Sequence, residues 1–194
     1  MKKYLMTLAA VLCCALTISV FTSCGGDDDE STNQPQNPAG DNTPKKVMMV
    51  FGFYATQDMM DNCDILVTCG NETEAMTLTN TTKVGKFYKW EKTVAANELP
   101  ANFTFSRKVT LKHNIDAMPI FEYTPSGYSY SSSLYNAEGK SIAVGGSHSN
   151  MSTIQVDGVN MTSIINNGKL DNTITVSFDQ NGACSHKISK THAQ

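Results

Sequence analysis

Between Asn102 and His113, apolar and polar side chains take turns along the chain. Phe103, Phe105, Val109 and Leu111 share one parity, while Thr104, Ser106, Lys108, Thr110 and Lys112 share the other. A period of two is what an extended strand needs to present one dry and one wet face, and a helix, with its period of 3.6, cannot satisfy it. The same period recurs. Ile174, Val176 and Phe178 alternate with Thr173, Thr175 and Ser177, and Tyr88, Trp90 and Val94 oppose Phe87, Lys89, Glu91 and Thr93, which turns the only tryptophan inward. Val47 to Ala55 is apolar on both parities and predicts a strand covered on both sides. Cys63 to Cys69, Ala75 to Thr79, Ile120 to Tyr123, Tyr128 to Tyr135, Ser141 to Val144 and Ala183 to Lys190 read as further strands. Turn-forming segments punctuate them, notably Pro125-Ser126-Gly127, Asn136-Ala137-Glu138-Gly139 and Asp179-Gln180-Asn181-Gly182.

Helical spacing is confined to short pieces. Gln57 to Asn62 is polar apart from Met59 and Met60 and suits a turn or a single helical turn. From Asp157 to Gly168, Met161, Ile164, Ile165 and Gly168 fall at i, i+3, i+4 and i+7, with Asp157 as a cap and Gly168 as a stop, which predicts one short helix. An Asp157-Gly158 hairpin joining residues 153–156 to residues 159–161 is the alternative. Many short strands with turns at close intervals predict an all-β fold, an immunoglobulin-like antiparallel β-sandwich with one short helix, occupying residues 47–194. The whole chain is 194 residues long, which at about 150 residues per domain leaves one domain plus appendages.

Those appendages lie at the N-terminus. Lys2 and Lys3 precede an uncharged, mostly apolar run from Leu5 to Phe21, the pattern of a secretory signal, with a signal anchor as the alternative because a run of this length spans a bilayer only marginally. The run closes with Phe21-Thr22-Ser23-Cys24, which resembles a bacterial lipobox. That resemblance implies cleavage after residue 23 and acylation of Cys24, and several acyl chains on one residue make a stable membrane anchor. Next comes Gly25-Gly26-Asp27-Asp28-Asp29-Glu30. Acids directly after a lipidated cysteine resemble the export signal of Bacteroidota-type surface lipoproteins, which implies an outer-membrane protein facing the cell exterior through Asp27, Asp28, Asp29 and Glu30. Residues 24–46 read as the anchor and a flexible acidic tether, because three prolines and a lack of large apolar side chains between Ser31 and Lys46 leave nothing to offset ordering entropy. Such a tether reaches roughly 75 Å when fully extended. More faintly, Trp90 in its aromatic strand, Glu98-Leu99-Pro100-Ala101-Asn102-Phe103 and the closing Asp179-Gln180-Asn181-Gly182 hairpin resemble small surface lipoproteins of the same group, which implies a β-sandwich and leaves the task open.

Charge and motifs exclude several classes. A formal net charge of -3 supplies no basic footprint for nucleic acid, whose binding rests on neutralising phosphates. His113, His148, His186 and His192 stand without a second ligand at metal-binding spacing, and Cys184-Ser185-His186 is a weak pair, so no metal site is expected. No Gly-x-Ser-x-Gly elbow or dinucleotide-binding Gly-x-Gly-x-x-Gly occurs, and neither an enzyme nor a cofactor is expected. Of the cysteines outside the signal and lipobox, Cys63 and Cys69 on one strand would lie about 20 Å apart, beyond disulfide reach. Pairing of Cys184 with one of them and three unpaired, buried small side chains are both compatible with the sequence.

One segment suggests recognition. Tyr123 to Tyr135 reads Tyr-Thr-Pro-Ser-Gly-Tyr-Ser-Tyr-Ser-Ser-Ser-Leu-Tyr, with Tyr128 and Tyr130 on one parity and serines on the other. Tyrosine beside serine combines rigid contact area with adaptable hydrogen bonding, so Tyr123, Tyr128, Tyr130 and Tyr135 are the candidate ligand-binding residues. Alternatively, the same tyrosines cover the core. The expected function is a non-catalytic binding module for a glycan or a surface protein. The alternative is an accessory of a surface complex or fimbria-like polymer acting through edge strands.

Overall fold

In a computed structural model that describes residues 41–190, the chain alternates between two sheets, and each visit leaves one strand or a local hairpin. Strand β1 (Lys46–Thr56) lies in the first sheet and helix α1 (Gln57–Asn62) carries the chain to the hairpin β2 (Cys63–Cys69) and β3 (Glu72–Ala75) of the second. The hairpin β4 (Thr81–Val84) and β5 (Phe87–Ala96) returns to the first sheet, and β6 (Ala101–Leu111) crosses back. After β7 (Phe121–Tyr123) come β8 (Tyr128–Tyr135) and β9 (Ser141–Asn150) in the first sheet, then β10 (Ile154–Val156) and helix α2 (Gly158–Asn166). Strands β11 (Asn172–Phe178) and β12 (Cys184–Lys190) complete the second sheet. The orders are β4-β5-β1-β8-β9 and β12-β11-β6-β2-β3, with β10-β7 as a small separate pair. All ladders are antiparallel. The described residues thus form an all-β antiparallel sandwich, with two short helices where one was expected.

The longest strands, β1 and β6 with 11 residues each, sit at the sheet centres, where both edges are paired. β1 sends Val47, Met49, Phe51, Phe53 and Ala55 inward, and β6 sends Phe105 and Val109 to meet them. The Phe51 and Phe105 rings stack across the sandwich at 3.8 Å, and Phe53 leans on Trp90 at 6.3 Å. Burying one such ring contributes about 1.5–3 kcal/mol. The indole Nε1 of Trp90 donates to Glu74 Oε1 at 3.1 Å, so the buried aromatic keeps a polar partner. The described residues carry this core within one compact unit.

Helix α1 is capped by Thr56, whose side chain accepts from the Met59 amide, and it buries Met59 and Met60. Helix α2 forms where the apolar spacing predicts it: Asp157 Oδ1 accepts from the Asn160 amide at 2.8 Å, Met161 and Ile165 are buried, and Gly168 follows at φ 62°. The competing hairpin does not form, because β10 pairs with β7, Ile154 facing Tyr123 and Val156 facing Phe121.

Several boundaries differ from expectation, β9 among them, which runs on to Asn150 where a strand ending at Val144 was expected. The third strand occupies Glu72–Ala75 in place of Ala75 to Thr79. Asn80 organises the expected strand as a turn, with its side-chain oxygen accepting from the Thr77 amide at 2.8 Å and its nitrogen donating to the Ala75 carbonyl at 2.9 Å. Leu78, whose apolar character suggested a strand, is 61% exposed. β4 lacks alternation yet pairs with β5 through the Gly85-Lys86 turn, where Gly85 takes φ 59°. The end of the expected tether lies on the sandwich: the Lys45 amide donates to the Tyr135 carbonyl at 2.9 Å, and Asn136 Nδ2 donates to the Asp41 carbonyl at 3.0 Å.

Candidate functional site

Register decides which face of β8 meets solvent. Opposite β1, Tyr128 pairs with Phe53 and Tyr130 with Phe51, so both tyrosines point where the core aromatics point. Tyr128 is 0% exposed and Tyr130 6%. Tyr123 is buried on β7, while Tyr135, on the opposite parity of β8, is half-buried. The candidate tyrosines therefore do not converge on one open surface. Tyr123, Tyr128 and Tyr130 cover the core, since cross-strand neighbours on a pleated sheet share a face and the Phe51 face is the dry one.

The intervening serines make the other face. Ser129 lies opposite Gly52 of β1 and Ser149 of β9, and Ser131 lies opposite Val50 and Ser147. A depression of about 520 Å³ opens over these four serines, bounded by Lys89 of β5 and Val50, with Tyr130 and His148 also in its lining. Gly52 lies beneath the Lys89 stem that bounds it. A Cβ at that position would stand 2.7 Å from Lys89 Cε and 2.9 Å from the Trp90 carbonyl oxygen, so the absent side chain lets the lysine stem lie flat against the sheet. Tyr54 Oη and Ser129 Oγ are hydrogen-bonded at 3.0 Å, and Lys89 forms an ion pair with Glu91. The depression presents hydroxyl groups that donate and accept equally well, around a modest apolar patch and a balanced charge pair.

On the inner side of the same strands, at the open flank of the sandwich, Tyr130 Oη and His186 Nδ1 share a hydrogen bond of 3.0 Å, and the Cys184 thiol donates to Tyr130 Oη at 3.9 Å. His148 of β9 faces His186 of β12 with ring centroids 4.5 Å apart. Burial, and then the neighbouring Cys184, push the Tyr130 hydroxyl's pKa upward. Burial, and then His186, hold His148 below the ordinary histidine value. Cys63, Cys69 and Cys184 are all free thiols, and burial raises the Cys63 pKa to about 12, which keeps it protonated and unreactive. His113 Nε2 pairs with Asn62 Oδ1 at 3.0 Å. Among the described residues, no three His, Cys, Asp or Glu side chains gather as a metal-binding group, and no helix is long and apolar enough to cross a membrane. Cys24, Asp27, Asp28, Asp29, Glu30 and His192 lie outside the described residues.

Two features escaped the sequence. Arg107 shares the parity of Phe105 and Val109 and is 1% exposed, which its position in the alternation signals although its charge argues the opposite. The proximity of His148 and His186 carries no local signal, because it depends on two strand edges meeting. No family model, curated protein or solved structure matches the chain, and its function is read from this geometry.

Proposed function

We propose that the chain is a lipid-anchored, non-catalytic binding module of the outer membrane, held through Cys24 and routed by the acids at Asp27 to Glu30, and that its ligand is a neutral glycan. The observation that carries the reading is the depression lined by Ser129, Ser131, Ser147 and Ser149 and bounded by Lys89. A sugar offers several hydroxyls in fixed geometry, and Ser129, Ser131, Ser147 and Ser149, distributed over two adjacent strands, can exchange their bonds to water for bonds to such a ligand at little net cost. Sites built on paired strands hold their side chains more firmly than sites on loops. The ion pair of Lys89 with Glu91 leaves the floor without a strong field, which suits an uncharged partner better than an acidic one.

Glycan-array screening of the soluble unit Pro38–Gln194 tests the ligand class. Binding of neutral oligosaccharides that weakens about thirtyfold in the Ser131→Ala/Ser149→Ala double variant, as expected for two lost hydrogen bonds of ~1 kcal/mol each, supports it. An array without hits, or binding indifferent to the two serines, overturns it. The anchor is tested separately: Cys24→Ala in the full chain is expected to abolish lipid labelling and membrane retention, and retention without that cysteine would refute lipidation.

A further inference from the structure

His148 and His186 are far apart in sequence and belong to the edge strands of different sheets, β9 and β12. They meet because the backbone makes room. At the β8–β9 bulge the register passes from Ser133 opposite Val144 to Ser132 opposite Gly146, which leaves Gly145 as the extra residue and bends the edge strand. The next residue, Gly146, lies against β12: a Cβ there would stand 2.8 Å from Cys184 Cβ and 2.9 Å from its sulfur. Two residues further along each strand, on the same face, stand His148 and His186.

We propose that these two imidazoles form an open site for a borderline divalent transition cation, Zn²⁺ or Cu²⁺, which clips the two sheet edges together. The rings lie 4.5 Å apart between centroids at 42°. Two nitrogens bound to one tetrahedral cation at about 2.0–2.1 Å sit roughly 3.3 Å from each other, a span of the same order as the separation of these two rings. The supporting contacts are those of a ligating histidine. His186 Nδ1 and Tyr130 Oη lie 3.0 Å apart, and the tautomer in which Nδ1–H donates to that oxygen orients the ring and leaves the Nε2 lone pair free, as an outer-shell partner does. Tyr128, fully buried, stacks on His148 at 5.1 Å and meets His186 edge-on at 6.3 Å, which holds the first ring in place. Imidazole pairs select copper and zinc over calcium and magnesium, which want oxygen ligands. With two protein ligands, the remaining coordination positions are taken by water or by an oxygen of a bound molecule.

Titration of the unit Pro38–Gln194 with ZnCl₂ and with CuCl₂ at neutral pH, followed by calorimetry and by imidazole NMR signals, decides the matter. The expected result is one-to-one saturation in which the His148 and His186 signals move together while those of His113 stay put. His148→Gln and His186→Gln are each expected to weaken binding by about tenfold or more. Saturation that leaves either His148 or His186 unperturbed, no binding at millimolar cation, or undiminished affinity in the folded double variant would overturn the site. The NMR measurement on the unaltered protein stands even where a variant fails to fold.

Discussion

The guanidinium of Arg107 donates to four main-chain carbonyls, those of Tyr54, Thr124, Pro125 and Leu170, at 2.9–3.4 Å. These acceptors come from β1, the β7–β8 turn and the segment after α2, so one side chain rooted in the second sheet holds three separate pieces of backbone. Burial lowers its pKa to about 10, partly countered by the charge of Asp171, and it stays charged at neutral pH. A lysine lacks the planar fork needed to reach acceptors spread in this way. Arg107→Lys and Arg107→Met are each expected to lower the unfolding free energy by about 3 kcal/mol or more, through carbonyls left unpaired in the core. Urea unfolding measures it, and a loss below ~1 kcal/mol would mean that the carbonyls find other partners. At Gly52, alanine would crowd the Trp90 carbonyl, which the β1–β5 ladder holds in place. Gly52→Ala is expected to cost about 1–3 kcal/mol and to weaken glycan binding as the lysine stem is lifted. An unchanged melting temperature together with unchanged binding would count against the role given to this glycine.

Among the elements, α2 shows best how far local pattern carries. Its cap, its apolar stripe and its glycine stop are all legible in the sequence, yet Asp157-Gly158 is equally good hairpin chemistry. The choice is made by packing. The Gly158 amide donates to the Met118 carbonyl at 2.9 Å, and a Cβ on Gly158 would stand 1.8 Å from the Ile115 carbonyl oxygen. The helix start is thus pressed into the loop before β7, a contact no hairpin would make. Gly158→Ala is expected to destabilise the protein by about 2 kcal/mol or more, at the upper end for overpacking because both colliding groups are backbone. Thermal melts followed by circular dichroism would show it, and a neutral substitution would mean that the loop yields freely. Strands β1, β2, β5, β6, β8, β11 and β12 are legible from alternation or apolar content, and β9 is legible at its start. β4 is not, because an edge strand with solvent on its face needs no apolar parity and is defined only by the partner that pairs with it.

At the scale of the whole molecule, the flank where β9 meets β12 responds to pH. Burial and the facing His186 keep His148 less basic in the folded state than in the unfolded chain. The unfolded chain takes up its proton near pH 6.5 and the folded protein only at lower pH, so over that window the unfolded state binds more protons. Stability is then fully present above about pH 6.5 and falls as the pH drops toward the folded value. The melting temperature is expected to be lower at pH 5.5 than at pH 7.5, and His148→Gln is expected to reduce that difference. An equal drop in the variant would assign the effect to other groups.

The positions of most strands and the two-sheet architecture follow from the sequence by itself, because a period of two is a property of backbone geometry and needs only near neighbours. Which parity of β8 faces water, the burial of Arg107 against carbonyls and the meeting of His148 with His186 were decided by the tertiary structure alone. An alternating strand has two candidate faces, and only register against a remote partner selects one. That selection turned the tyrosines inward and the serines out, and so moved the candidate binding surface to the opposite side of the strand that suggested it.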